Sequence, residues 1–187
     1  MVSTKTPICK FGWKAHDFSL KGVDGRMHNL ESVRGVNGTV IMFICNHCPY
    51  VKAILDRLVR DMEELQTIGI GVVAIMSNDP SDYPEDSFDN MKSVSEQNGF
   101  TFPYVIDHTQ QTARIYDAVC TPDFFGFDKN LRLRYRGRFD SSRKEAGPRD
   151  ARRELYEAMR EVAKSGKGPT QQIASIGCSI KWIVENS

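Results

Sequence analysis

The sequence predicts an α/β fold built on a β-α-β unit, and three stretches carry that prediction. Residues 39–45, "TVIMFIC", are apolar, partly β-branched and bounded by Gly38, as expected of a buried strand. Apolar residues then recur at helical spacing from Val51 to Leu65, up to a stop at Gly69. Residues 70–77, "IGVVAIMS", form a second buried strand, which completes the unit.

The remaining elements are assigned in chain order. The stretch "DFSLKGVDGRMHNL" predicts a hairpin around Asp24-Gly25. Residues 88–99 predict a helix, "PYVID" a short strand, and residues 109–118 another helix. The runs "PDFFGFD" and "LRLRYRGRF" predict a second hairpin, and residues 150–163 a closing helix. The final residues, "IASIGCSIKWIVENS", carry too little pattern for an assignment.

Composition restricts the class of protein. The chain has 187 residues, of which 40% are hydrophobic and 26% charged, and its net charge is +1. This balance favours an ordinary globular domain, with no global charge directed at nucleic acid or an anionic membrane. No apolar run approaches the ~20 residues of a membrane helix. The N-terminal residues lack the apolar region of a signal peptide, so we expect a cytoplasmic protein.

The cysteines contain the main chemical signal. Five occur in an odd, scattered set, which is unlike the disulfide framework of a secreted protein. Cys45 and Cys48 are exceptional because they lie three residues apart, between the first buried strand and its helix. That spacing puts the two Cα atoms about 5 Å apart, within the range of an unstrained disulfide. We expect Cys45 at an exposed helix start that stabilises its thiolate, with Cys48 more shielded.

The neighbours of the pair leave alternatives open. Pro49 suits the first turn of a helix. His47 either stabilises the Cys45 thiolate by a hydrogen bond or a positive charge, or simply faces solvent. A zinc site would need two further ligands, and the remaining cysteines and histidines are isolated in the sequence. We therefore predict a redox pair, with no metal and no cofactor, over a metal site or two inert thiols.

Three stretches resemble a known family. "AHDFSL", at residues 15–20, resembles the start of many redoxins, and "TPDFFGFD", at residues 121–128, resembles the cis-proline loop of the thioredoxin fold. The most specific stretch, "MFICNHCPYVKA", is similar to peroxiredoxin-like thioredoxin-family proteins related to alkyl hydroperoxide reductase and thiol-specific antioxidant protein (AhpC/TSA). The resemblance extends over roughly residues 11–163, and "GCSIKW" near the C-terminus is also typical of the group.

The resemblance implies a thioredoxin-like fold: a central mixed sheet flanked by helices, with an N-terminal β-hairpin extension. It implies a redoxin domain at residues 10–165 and a C-terminal tail at residues 166–187. It also implies a thiol-disulfide oxidoreductase in which Cys45 attacks and Cys48 resolves. Pro122 would lie opposite the pair in a cis peptide bond, and the backbone of Thr121 would pair with an extended substrate.

The chain also departs from true peroxiredoxins. Aligned on Cys48, Ile41 stands at their conserved proline and Cys45 at their threonine, and their peroxide-polarising arginine is missing next to Thr121 and Pro122. Two alternatives to the oxidoreductase remain. One is a thiol peroxidase whose peroxidatic residue is Cys48; the other is a non-catalytic thioredoxin-fold binding module.

The other cysteines are candidates of lower rank. Cys120 directly precedes Thr121 and is either an additional redox thiol or a small buried apolar residue. Cys178, on the C-terminal tail, either reaches the active pair, forms a disulfide between two chains or has no role, and Cys9 ranks below both. The expected partners are a disulfide-containing protein or small molecule and a separate reductant, such as a thioredoxin or glutathione system.

Overall fold

Two β-sheets of unequal size organise the protein. The computed structural model describes residues 2–7, 10–148 and 150–184. Within this part of the chain, the larger sheet has seven strands in the order β3-β2-β6-β5-β4-β8-β9, and the smaller has three in the order β1-β10-β7. The strands are β1 (Ser3–Lys5), β2 (Ser19–Gly22), β3 (Met27–Asn29), β4 (Gly38–Phe43), β5 (Ile70–Met76), β6 (Tyr104–Ile106), β7 (Cys120–Thr121), β8 (Asp123–Asp128), β9 (Leu133–Tyr135) and β10 (Ile176–Ser179).

The larger sheet is mixed, and its centre is fully buried. β4 and β5 pair in parallel, as do β5 and β6, whereas β8 lies antiparallel to β4. Alternate residues of β4 enter opposite cores: Val40 and Met42 pack on one face, Ile41 and Phe43 on the other. A strand that is buried on both faces reads as the continuous apolar run seen in the sequence.

Helices cover both faces of this sheet. They are α1 (Leu30–Val33), α2 (Pro49–Lys52), α3 (Leu55–Thr67), α4 (Phe88–Gln97), α5 (Gln111–Ile115) and α6 (Glu154–Ser165). Helices α3 and α6 bury Leu58, Met62 and Leu155 in the core that contains Val40, while α1 and α5 belong to the opposite core. The single helix predicted after Cys48 is divided between Lys52 and Leu55 into α2 and α3.

The smaller sheet joins both ends of the chain to the middle. β10 lies antiparallel to β1 on one side and to β7 on the other, with Cys178 opposite both Ser3 and Thr121. The sequence predicted none of these three short strands, nor the one-turn helix α1. The α/β class, the β-α-β unit and both hairpins are confirmed.

None of the helices in the described ranges combines the length and the apolar character needed to cross a membrane.

Candidate active site

A carboxylate shapes the loop that carries the two cysteines. Asp86 accepts hydrogen bonds from the backbone N–H groups of Asn46 and His47, at 2.8 and 3.2 Å from the same oxygen. Asn46 and His47 therefore lie in a loop that precedes the helix. Helix α2 begins only at Pro49, with Cys48 as its N-cap residue, and proline suits this first position because it has no N–H to leave unpaired.

This loop corrects the predicted environment of Cys45. Cys45 is 1% exposed and Cys48 is 0% exposed, so the expectation of an exposed Cys45 beside a shielded Cys48 is wrong. The helix begins after Cys48 and not between the two cysteines, so its start is next to Cys48. The expected position of Pro49 in the first helical turn is confirmed.

The two thiols shift each other's pKa in opposite directions. Burial raises the pKa of Cys45 well above its usual value, and the hydrogen bond to Cys48 and the negative charge of Asp86 raise it further. The same hydrogen bond from Cys45 lowers the pKa of Cys48 to about 5, against the opposing effect of burial. Smaller contributions come from Cys178 and from the backbone N–H of Val51. Cys48 is therefore the more acidic thiol of the pair, and Cys45 the less acidic one.

His47 belongs to a buried polar network, not to the solvent. Its Nδ1 lies 2.6 Å from Asp86 Oδ2 and 3.7 Å from Cys45 Sγ, and its ring stacks on Tyr83 with centroids 4.1 Å apart. The second ring nitrogen, Nε2, is buried without a hydrogen-bond partner. Asn78 donates a further hydrogen bond to Asp86 Oδ2 at 2.8 Å. The hypothesis of a solvent-facing His47 is therefore wrong.

The network also brings together three groups of metal-ligand type. One donor atom each from Cys45, His47 and Asp86 lies within 4.8 Å of the others. In this arrangement His47 Nδ1 and Asp86 Oδ2 are hydrogen-bonded to each other, so both would have to separate before they could hold an ion. The sequence did not predict this cluster, because Asp86 lies about forty residues from the cysteines, among several acidic residues of an irregular loop.

Thr121 and Pro122 lie against the cysteine pair, as the resemblance implies. The peptide bond between them is cis. Thr121 Oγ1 is 3.2 Å from Cys45 Sγ, and its hydrogen bond lowers the pKa of Cys45 against the larger effect of burial. Thr121 O is 3.1 Å from Cys48 Sγ, a bond that only the protonated Cys48 thiol donates. A single residue therefore contacts both sulfurs.

The neighbourhood of Thr121 differs from the expectation in one respect. Its backbone pairs with Cys178 of β10, so the place assigned to an extended substrate is taken by the chain itself. Cys178 is 2% exposed and hydrogen-bonds to Cys48 through both its thiol and its backbone. Cys120 is fully buried, with its sulfur 3.6 Å from Pro122 O, and burial raises its pKa far above the usual value. Cys9 lies outside the described residues.

An apolar cavity reaches Cys45 from the side of α3 and α4. Its volume is about 200 Å³. Val51, Leu55, Val94 and Phe100 contribute to its lining together with Cys45. Cys45 is thus the thiol of the pair that faces a space large enough for a small group of a substrate.

These features define a class of protein. A mixed sheet flanked by helices, a C-x-x-C pair after a central strand and a cis-proline beside both sulfurs are those of a thioredoxin-like redoxin. The chain belongs to the AhpC/TSA family, whose family model matches residues 11–136.

Individual relatives agree with this assignment. A protein of Geobacillus thermodenitrificans (strain NG80-2), named thiol-disulfide oxidoreductase ResA, is 30% identical over 135 residues, which are 70% of this chain and 71% of that protein. The crystal structure of an uncharacterised conserved protein from Geobacillus kaustophilus is 44% identical, with a TM-score of 0.93, over 100% of this chain and 99% of the other. A secreted Mycobacterium tuberculosis disulfide oxidoreductase, 15% identical with a TM-score of 0.59 over 76% of this chain and 94% of its own, shares the fold alone.

The pair, the fold and the family together make this protein an oxidoreductase of the thiol-disulfide type. Such an enzyme acts on disulfide-containing substrates and depends on a thiol reductant to return to its starting state.

Proposed function

We propose that Cys45 attacks the disulfide of a substrate and that Cys48 resolves the mixed disulfide. The observation that carries this proposal is the position of Cys45, which lines the apolar cavity, whereas the sulfur of Cys48 lies against Thr121 O. A proton that passes from Cys45 to Cys48 produces a Cys45 thiolate next to the cavity, and the protonated Cys48 thiol then donates to Thr121 O. Thr121 stabilises that thiolate because its hydroxyl is 3.2 Å from the Cys45 sulfur.

The reaction balances in three steps. The Cys45 thiolate attacks one sulfur of the substrate disulfide, forms a mixed disulfide and releases the first substrate thiolate. That thiolate takes the proton from Cys48, which regenerates the Cys48 thiolate. Cys48 then attacks the Cys45 sulfur, which releases the second substrate thiolate and leaves a Cys45–Cys48 disulfide; the released thiolate takes up a proton from solvent. An external dithiol or two monothiols return the pair to its reduced form.

The substrate class follows from the space around Cys45. The cavity admits one small apolar group, which either a low-molecular-weight disulfide or a protruding side chain of a protein would supply. A thioredoxin or glutathione system is the proposed source of electrons. A cytoplasmic location, supported by the odd and scattered set of cysteines, is part of the proposal and is checked by fractionating cells that express the full chain.

The redox pair is tested by mapping disulfides in the purified protein. After oxidation with oxidised glutathione, we expect a Cys45–Cys48 disulfide. We expect Cys48→Ser to abolish the reduction of a disulfide peptide, because the mixed disulfide is not resolved, and Cys45→Ser to slow it, because the attacking thiol is lost. Cys120→Ser is the matched control, because its thiol is equally buried and contacts a carbonyl oxygen instead of the pair. Full activity in either variant would refute the proposed roles of the pair, whereas a native chain that reduces no disulfide peptide would favour the non-catalytic binding module.

A second function, thiol peroxidase, is favoured by one observation. The pKa of Cys48 is lowered to about 5, and a thiolate is the form that reacts with peroxide. In that reaction Cys48 becomes a sulfenic acid and Cys45 condenses with it, releasing water. The Cys45→Ser/Cys178→Ser variant lacks both thiols that are adjacent to Cys48. A sulfenate on Cys48 in this variant, formed at low peroxide concentration, would establish the activity, and its absence would exclude it.

A further inference from the structure

Cys48 has a thiol neighbour on each side. Cys45 precedes it in the loop, and Cys178 approaches it from β10, with the Cys178 thiol and backbone both hydrogen-bonded to its sulfur. The two neighbours act on Cys48 in the same sense, because each lowers its pKa. Cys178 therefore lies next to the sulfur of Cys48.

The position of Cys178 is built into the small sheet. Cys178 is the partner of Thr121 in the β10–β7 pairing, and Thr121 also provides the carbonyl oxygen 3.1 Å from Cys48 Sγ. Gly177 makes this approach possible: a Cβ atom there would lie 2.0 Å from Thr121 O, far inside contact distance. On the other side, Ser175 Oγ donates to Pro122 O at 2.7 Å. β10 is thus held against Thr121 by its backbone pairing and by the close approach at Gly177. Ser175, which directly precedes β10, adds the hydrogen bond to Pro122 O.

We propose that Cys178 is a third redox cysteine, which exchanges with the oxidised pair to form a Cys48–Cys178 disulfide. The proposal rests on the proposed function, since it needs an active Cys45–Cys48 pair. In the exchange, Cys178 gives up its proton and its sulfur attacks Cys48. The Cys48–Cys178 bond forms, the Cys45–Cys48 bond breaks, and Cys45 leaves as a thiolate that takes up a proton. No net oxidation takes place, because one disulfide replaces another.

The electrostatics agree with the order of these steps. In the reduced protein, burial and the neighbouring Cys48 thiolate raise the pKa of Cys178 to about 12, so Cys178 is a thiol and donates to Cys48. Once Cys48 is part of a disulfide, its charge is gone, while Lys144 and Lys181 continue to lower the pKa of Cys178. Cys178 therefore becomes a better nucleophile only after the pair is oxidised.

The exchange has two consequences for the site. It returns a free Cys45 to the apolar cavity, and it fastens β10 covalently over Thr121. The oxidised enzyme would then hold its disulfide at the joint between the two sheets, where a reductant must displace or approach β10 in order to reduce it.

The Cys45→Ser variant isolates this bond. It retains a hydroxyl beside Cys48 but has no thiol at position 45. Treated with oxidised glutathione, its Cys48 thiolate first forms a mixed disulfide and releases glutathione, and Cys178 then displaces the second glutathione. We expect peptide mapping to find a Cys48–Cys178 disulfide in Cys45→Ser, its loss in Cys45→Ser/Cys178→Ser, and its retention in Cys45→Ser/Cys120→Ser.

A persistent glutathione adduct on Cys48 in Cys45→Ser would overturn the proposal. Gly177→Ala offers an independent test that leaves all cysteines in place. In the Cys45→Ser background it should abolish the Cys48–Cys178 bond, whereas in the otherwise native chain the Cys45–Cys48 bond should still form. If the native chain forms the Cys45–Cys48 disulfide but Cys45→Ser forms no Cys48–Cys178 disulfide, the redox role of Cys178 is refuted and the proposed function stands. If the native chain forms neither bond, the proposed function itself fails.

Discussion

The two sheets of this protein differ in how they are built and in what they do. The seven-stranded sheet is held by long apolar strands buried on both faces, and it positions the start of the Cys45–Cys48 loop at the end of β4. The three-stranded sheet consists of strands of two to four residues, joined through backbone pairing and one glycine contact. The large sheet therefore provides most of the buried core, and the small sheet covers the Cys48 side of the pair.

The largest change in the free energy of unfolding should come from removing a core side chain of the large sheet. Phe124 in β8 is fully buried, and Phe124→Ala should lower the free energy of unfolding by about 3–5 kcal/mol, measured by urea denaturation. Phe11→Ala, at a side chain that is 50% exposed, is the control and should change stability by less than about 0.5 kcal/mol. Gly177→Ala should cost about 1–3 kcal/mol, because β10 can move away locally. A larger loss for Gly177→Ala than for Phe124→Ala would reverse the comparison.

The same contrast explains what the sequence could predict. Residues 39–45 and 70–77 were identified because burial on both faces leaves an unbroken apolar run in the sequence. β10 left no such trace. Its four residues include Gly177, needed for contact with Thr121 O, and Cys178, needed beside Cys48, so each position is explained by a neighbour that is distant in the chain.

The site was predicted to the same limited extent. Cys45, Cys48, Thr121 and Pro122 were identified from spacing and from the family resemblance, and the structure brings them together. The pKa shifts of the pair were not predicted, and one of the charges that raise the pKa of Cys45 belongs to Asp86. This carboxylate also binds the backbone of Asn46 and His47 ahead of the helix that starts at Pro49, and nothing near the cysteines in the sequence indicates it.

A second prediction concerns how the free energy of unfolding depends on pH through the pKa of Cys48. In the folded state the pKa of Cys48 is about 5, against about 8.5 for a thiol in the unfolded chain. Between these values the unfolded state binds more protons, so the contribution of Cys48 to stability should grow as pH rises from 5 to 8.5 and be lost as pH falls towards 5. Above that range the raised pKa of Cys45 acts in the opposite sense, because the unfolded thiol ionises first.

The difference in unfolding free energy between the native chain and Cys48→Ser, measured in urea at several pH values under reducing conditions, tests this linkage. It should increase with pH up to about 8.5. A difference that is independent of pH would mean that Cys48 is not the thiolate of the pair.

The smallest effect should separate two neighbours of Cys45. Asp86→Asn removes the negative charge that raises the pKa of Cys45, so alkylation of Cys45 at fixed pH should become faster. His47→Ala leaves Asp86 without the partner 2.6 Å away, so we expect a higher pKa of Cys45 and slower alkylation. Both variants are compared in a Cys48→Ser background, with modified peptides identified by mass spectrometry. Equal rates in the two variants would remove the His47–Asp86 pair from the control of Cys45.

The central claim, that Cys45 is the attacking sulfur, is tested most directly by trapping the mixed disulfide. Each variant of the pair also carries Cys178→Ser, so that Cys178 releases no adduct; it is incubated with a disulfide peptide, and the modified cysteine is identified by mass spectrometry over time. The account predicts that Cys48→Ser/Cys178→Ser accumulates the peptide on Cys45 faster than Cys45→Ser/Cys178→Ser accumulates it on Cys48. A faster adduct on Cys48 would contradict the claim and make Cys48 the attacking residue.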